Sequence, residues 1–384
     1  MKNNFWGKTY GLTINKNYKK RIIYDDKNSL NPIDEIKVVD NFEEIHDKKY
    51  FFTITDISNI NENFKGIFFK GNIKESFSEN DIVEIVPFKE NSIFIRKIFK
   101  SNSEDNILFL TNKCNSNCLF CPDSDELRKN TAEYVEDNIE LIRLLPKNIK
   151  HIGITGGEPT ILKDNFFRIL EECKINFPDI EYTVISNGRM FFYKDFCEKY
   201  KKVHPLNLKT AIALHSYNEI NHDKITRVNG SFKQTFLGIK NLLSLNEKVE
   251  IRIVLNKMNY KDLYKIATLI GENFKTVEEV NILSLELLGN AGQNYKDFWI
   301  NKEEINSSLE KALPIFIKNK IKVNLYNFPL CLLKSEFWNI TKKSITDYKS
   351  KYGENCQECI AFDKCDGFFF STFNVIKPNI IPIK

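Results

Sequence analysis

The sequence predicts an α/β protein: a partial barrel or open sheet built from βα units, with a β-rich domain before it and a small Cys-rich extension after it. Three observations predict this. From about residue 104, short apolar strands alternate with helical stretches. Before that point, β-branched and aromatic runs are broken by Asn, Gly, Pro and Lys. Beyond about residue 300 the cysteines become dense, giving domains at 1–103, 104–300 and 301–384.

In the first domain, the runs beginning Tyr50-Phe-Phe-Thr, Gly66-Ile-Phe-Phe, Asp81-Ile-Val-Glu and Ser92-Ile-Phe-Ile read as strands. In the second, strand candidates begin at Asn106, His151, Tyr182, Thr210, Val249 and Val280, six in all. Helical spacing of apolar residues falls near 132–145, 164–176, 193–202, 231–246 and 260–274. Six βα units are too few to close an eight-stranded barrel, and in a partial barrel or an open sheet alike ligands gather at the C-terminal strand ends. A helix near 302–319 and a strand Lys322-Val-Asn-Leu-Tyr lead into the extension.

Composition narrows the class. The 384 residues carry 56 Lys+Arg against 51 Asp+Glu, a formal charge of +5, and 42% are hydrophobic. This excludes bulk disorder. Lys19-Lys20-Arg21 and Lys201-Lys202 are short basic runs, read as solvated surface rather than a nucleic-acid patch. With no apolar run long enough to span a bilayer and no secretory leader, a cytoplasmic, membrane-free protein is expected. Nine cysteines, unevenly spread, then suggest metal binding or catalysis rather than disulfides.

After the first strand comes Thr111-Asn-Lys-Cys114-Asn-Ser-Asn-Cys118-Leu-Phe-Cys121-Pro. Three thiolates on one loop can hold three irons of a cubane and leave the fourth open, where a substrate or cofactor can coordinate. The alternatives for this spacing alone are a zinc knuckle or a chance cluster. The second strand ends Thr155-Gly156-Gly157-Glu158-Pro159, where glycines permit close backbone approach and a carboxylate can receive an ammonium group. A tight βα turn would explain that string equally well. The two loops, one after each of the first two strands, belong at one mouth.

Together these strings resemble the radical S-adenosylmethionine (SAM) superfamily over residues 104–290, whose signature places an aromatic residue, here Phe120, before the last Cys. The resemblance implies a partial (β/α)6 barrel. It implies a 4Fe-4S cluster on Cys114, Cys118 and Cys121, with the open iron chelated by SAM. Gly156, Gly157 and Glu158 would bind the methionine part, and Phe120 would border the adenine. Ser186, Asn187, His215, Ser216 and Arg252 stand where members of the superfamily often contact ribose or carboxylate. Three of them have alternatives: a turn for Asn187, a packed histidine for His215, an acidic helix partner for Arg252. Reduction of SAM would give a 5′-deoxyadenosyl radical that abstracts a substrate hydrogen atom.

In the extension, Cys331 and the run Cys356-Gln-Glu-Cys359-Ile-Ala-Phe-Asp-Lys-Cys365 supply four thiols. Their number suits an Fe-S cluster or a structural zinc. The spacing resembles the SPASM and Twitch extensions of peptide-modifying radical SAM enzymes, which implies one auxiliary 4Fe-4S cluster of the Twitch kind rather than zinc. Cys173 and Cys197 read as core residues. Longer strings, among them the one from His222 to Leu242, Tyr326-Asn-Phe-Pro-Leu-Cys331 and Cys365-Asp-Gly-Phe, resemble the His-Xaa-Ser system maturases of the HxsC type. That resemblance implies a precursor peptide as substrate, a second radical SAM maturase as partner and an electron donor such as flavodoxin or ferredoxin.

Two alternatives stand beside this reading, the second of them from another class. One is a radical SAM enzyme acting on a small molecule, such as a molybdopterin-precursor cyclase, whose paired terminal glycines have no counterpart in Pro378-Asn-Ile-Ile-Pro-Ile-Lys384. The other is a non-catalytic Fe-S or zinc protein, which has no need of Gly156-Gly-Glu-Pro.

Overall fold

The computed structural model describes residues 4–10, 16–24, 35–39, 51–54, 66–69, 76–89, 92–103, 106–123, 129 and 131–384. It divides into two compact units, one of residues 1–106, 136–152 and 175–180, the other of the remaining chain.

The first unit holds a closed barrel of β1 (Asn4–Tyr10), β2 (Tyr18–Ile23), β3 (Glu35–Val39), β4 (Phe51–Ile54), β5 (Gly66–Phe69), β6 (Ile82–Lys89) and β7 (Ser92–Phe99), in the order β1-β5-β4-β3-β2-β6-β7. Strands β2 to β5 pair in parallel, and the other pairs are antiparallel. Residues two apart share a face, so Ile36 with Val38, Val83 with Ile85 and Ile93 with Ile95 point into one apolar core. The β-rich reading is right, but β1, β2 and β3 lie outside the runs singled out from sequence. The reason is plain for β2. Its Lys19, Lys20 and Arg21, expected on a solvated surface, are at most 9% exposed. Arg21 pairs with the buried Glu35 of β3, and Lys19 reaches Asp137 and Glu140, each at 2.7 Å, on α1 (Val135–Leu144). Burying a cation requires such a partner, and charge patterning alone does not reveal one. Lys201 and Lys202 are exposed, as expected.

The second fold element is an eight-stranded sheet. Its strands are β8 (Ile107–Phe109), β9 (His151–Thr155), β10 (Glu181–Ser186), β11 (Leu208–Ala213), β12 (Lys248–Leu255), β13 (Glu279–Ser284), β14 (Val323–Tyr326) and β15 (Thr341–Lys342). They lie in simple sequence order, and the registered pairs are parallel. Sequential order means every crossover steps the same way, so the sheet winds as a barrel does and is not doubly wound. Between the strands run α2 (Asp164–Asn176), α3 (Lys194–Val203), α4 (Glu219–Thr226), α5 (Ser231–Ser244) and α6 (Leu263–Asn273), followed by α7 (Lys302–Lys318). The six expected strands are present within a few residues of their expected bounds. Two more, β14 and β15, extend the sheet from within the region assigned to the extension. Cys173 and Cys197 are buried, which pushes both thiols up to about 12.

Past β15, the hairpin of β16 (Ser350–Lys351) and β17 (Phe368–Phe369) brackets the Cys356–Cys365 run, and α8 (Phe370–Ile376) follows.

Candidate active site

At the C-terminal ends of the strands lies a cavity of about 1090 Å³, counted out to its open mouth. Cys114, Cys118 and Cys121 line it together with Gly156, Gly157 and Glu158. The two loops expected at one mouth therefore meet there.

Each loop is shaped by the other. A Cβ on Gly156 would lie 2.5 Å from the carbonyl oxygen of Thr111, and one on Gly157 would lie 2.4 Å from that of Lys113. Gly157 N–H donates to Thr111 O at 2.7 Å, and Glu158 N–H to Lys113 O at 2.8 Å. The glycines thus permit close approach, but the group that fills their empty faces is the backbone leading into the cysteine loop. Anything bulkier than hydrogen would push that backbone away.

Glu158 is 1% exposed. Its Oε1 accepts from Thr160 N–H at 3.1 Å, Thr160 Oγ1 at 2.5 Å and Ser186 Oγ at 2.8 Å, while Oε2 accepts from Asn187 N–H at 2.6 Å. The carboxylate ties the end of β9 to the end of β10. Burial raises its pKa, and the four donors oppose that rise. Oε2, with one donor, keeps capacity for a ligand ammonium.

The cysteine loop is held at further points. Asn117 N–H donates to Thr226 O at 3.0 Å and Leu119 N–H to Ile225 O at 2.9 Å, both at the end of α4. Arg189 donates to the Asn115 carbonyl and, at 3.0 Å, to Ser116 Oγ, while its Nε bonds Gln234 at 2.7 Å. Asn187 Nδ2 donates to Asn115 Oδ1 at 2.7 Å. Sequence reasoning missed Arg189; its one signal is its place two residues after Asn187, in the same strand-end turn.

The remaining candidates divide. Phe120, Ser186, Asn187 and His215 line the cavity. Phe120 meets the His215 ring edge-on at 5.2 Å between centroids. His215 is pushed down to about 3 by burial and by His222, itself pushed down to about 4 by burial, so both imidazoles are neutral near pH 7. The buried Nδ1 of His215 has no hydrogen-bond partner among the described residues. Ser216 is buried and accepts from Asn218 N–H at 3.4 Å; it does not line the cavity. Arg252 does not line it either. Its Nε bonds Glu250 at 2.6 Å, so its acidic partner comes from its own strand and not from a helix.

A second cavity, of about 380 Å³, is lined by Cys331, Cys356, Cys359 and Cys365 amid apolar residues. Gly353 N–H donates to Cys356 Sγ at 3.3 Å, and Leu330 and Gly367 N–H donate to Cys365 Sγ at 3.3 and 3.4 Å. Burial, with Cys365 and Cys356 close by, pushes the Cys331 thiol up to about 12. Among the described residues, no three His, Cys, Asp or Glu side chains converge on one point as a single ion would require. The two cavities adjoin: Phe368 lines the four-thiol cavity and Phe369 the three-thiol one, and Pro329 and Asn327 divide likewise.

Residues 108–270 match the Radical SAM superfamily. GTP 3',8-cyclase of Clostridium botulinum (strain Hall) is 28% identical over 226 residues, 57% of this chain and 68% of that protein. An uncharacterized protein of Methanocaldococcus jannaschii, MJ0907, is 30% identical over 221 residues, 56% of this chain and 73% of its own. Among solved structures, a polyhistidine-tagged anSMEcpe with bound AdoMet aligns with TM-score 0.51 at 12% identity, covering 72% of this chain and 88% of that one. Streptococcus suis SuiB bound to precursor peptide SuiA aligns with TM-score 0.46 at 16% identity. The alignment takes in 57% of this chain and about half, 47%, of SuiB. The α/β fold is thus shared with anSMEcpe, and the chain belongs to the radical SAM superfamily. It is a radical SAM enzyme, and membership implies a 4Fe-4S cluster and SAM. No helix among the described residues is long and apolar enough to cross a membrane.

Proposed function

We propose that the chain is a radical SAM maturase that modifies a ribosomally made precursor peptide, with its SAM-binding cluster on Cys114, Cys118 and Cys121 and an auxiliary 4Fe-4S cluster on Cys331, Cys356, Cys359 and Cys365. One observation carries the two-centre part of this reading: Phe368 lines the four-thiol cavity and the next residue, Phe369, the three-thiol one. The likeness of the Cys356-to-Cys365 spacing, with Cys331, to the Twitch extensions supports an auxiliary cubane over a structural zinc.

When bound, the cluster and SAM supply the reductive bond cleavage that yields a carbon radical. The residues of the chain do the placing. Gly156 and Gly157 let the second loop seat against the cysteine loop, and Glu158 offers Oε2 to the methionine ammonium. Ile185, Ala213, Val254 and Leu283 give the cavity an apolar side that excludes water from the reacting carbon. A peptide substrate is supported by the ordered likeness to the His-Xaa-Ser maturases, which runs on through Cys365-Asp-Gly-Phe. A second radical SAM maturase and a flavodoxin or ferredoxin are the partners this reading calls for.

A second reading, a small-molecule cyclase, is favoured by the GTP 3',8-cyclase relatives. Anaerobic reconstitution with iron and sulfide counting, then SAM cleavage in the presence of a His-Xaa-Ser repeat peptide or of GTP, separates them. About eight irons per chain are expected, as two cubanes require, with a mass change in the peptide. Conversion of GTP with an unchanged peptide would overturn the peptide reading, and about four irons with one zinc would overturn the auxiliary cluster.

A further inference from the structure

We propose that residues Ile380–Ile383 form an apolar cap that closes the four-thiol cavity to water and oxidant. The inference rests on reading that cavity as a metal centre. After α8 the backbone turns at Lys377, whose φ of +45° is left-handed, and the chain runs back across the cavity. Ile380, Pro382 and Ile383 are half-buried and line it beside the cysteines.

Two contacts fix the cap. Ile360 N–H, next to Cys359, donates to Ile383 O at 3.0 Å. At the other end, Ile380 Cδ1 lies 2.9 Å from where a Cβ on Gly353 would stand, so the glycine before the Cys356 turn leaves room for this side chain. Gly353 also donates to Cys356 Sγ, which places the isoleucine directly over a ligand turn. With an apolar lining and backbone N–H groups aimed at sulfur, solvent access becomes the main variable left to set the stability and potential of such a centre.

The test uses the full chain with Cys114, Cys118 and Cys121 all replaced by alanine, so that the four-thiol site is the one remaining cysteine-rich cavity. In that background, Ile380→Asp is compared with its parent, and Ile317→Asp, at an exposed site on α7, serves as the control. Two rates are measured: maleimide alkylation of Cys356 and Cys359 in the metal-free chain by mass spectrometry, and bleaching of the reconstituted centre in air. A cap predicts that Ile380→Asp speeds both by about tenfold, as local opening would, and that Ile317→Asp changes neither. Equal alkylation rates in Ile380→Asp and parent would overturn the cap. Absence of iron from the parent would instead defeat the auxiliary-cluster reading, and alkylation alone would then decide the cap.

Discussion

The two thiol-lined cavities differ in size and in what surrounds their cysteines. The three-thiol cavity is wide, open at its mouth and framed by side-chain hydrogen bonds from Glu158, Asn187 and Arg189. The four-thiol cavity is about a third of that volume and is walled by Leu330, Phe362, Phe368 and the isoleucines of the cap. A centre that must admit a charged cofactor needs polar groups held ready around an opening. One that only needs to persist is best served by complete ligation and apolar cover. On the proposed reading, three thiols against four is the trace of that difference in the sequence.

Perturbing each side should break the comparison in an ordered way. The largest effect is expected from Cys118→Ala, which should abolish 5′-deoxyadenosine formation, whereas Cys356→Ala should spare SAM cleavage more than peptide modification; product assays on the two variants check this. Next is Gly157→Ala. Its Cβ would meet the Lys113 backbone carbonyl at 2.4 Å, and overpacking of this kind costs about 1–3 kcal/mol, so iron retained by the first centre should fall while the four-thiol centre keeps its own. Arg189→Met removes charged hydrogen bonds worth about 1.5–3 kcal/mol. It should loosen SAM binding, read as a weaker affinity in calorimetry, without changing the second centre.

The smallest effect is on pH. His215 and His222 sit at about 3 and about 4 against an ordinary 6.5. Between those values the unfolded chain binds protons that the folded chain does not, so stability rises with pH through this window and is lost on acidification below about 6.5. Thermal unfolding should therefore begin at lower temperature at pH 5 than at pH 7. In the His215→Asn, His222→Asn double variant that difference should shrink.

Much of this was legible in the sequence. Strand alternation and cysteine spacing located β8 to β13 and both thiol groups, because periodicity and ligand count are local signals. The role of Glu158 as a tie between strand ends was not, since its partners Ser186 and Asn187 are brought to it only by the sheet. Arg252 stands on the strand and not in the cavity for a related reason: alternation names a face, while the neighbouring Glu250 decides where the guanidinium goes. The buried cations of β2 were hidden because their partners Glu35 and Asp137 lie 14 and 118 residues further along the chain from Arg21 and Lys19.

The most direct test of the central claim, that Cys114, Cys118 and Cys121 present an open iron to SAM, is electron paramagnetic resonance of the reduced, reconstituted chain titrated with SAM. A change in the cluster signal on SAM addition is predicted for the wild type and for Cys356→Ala, with no such signal in Cys118→Ala. A wild-type spectrum indifferent to SAM, or a SAM-responsive signal that survives in Cys118→Ala, would contradict it.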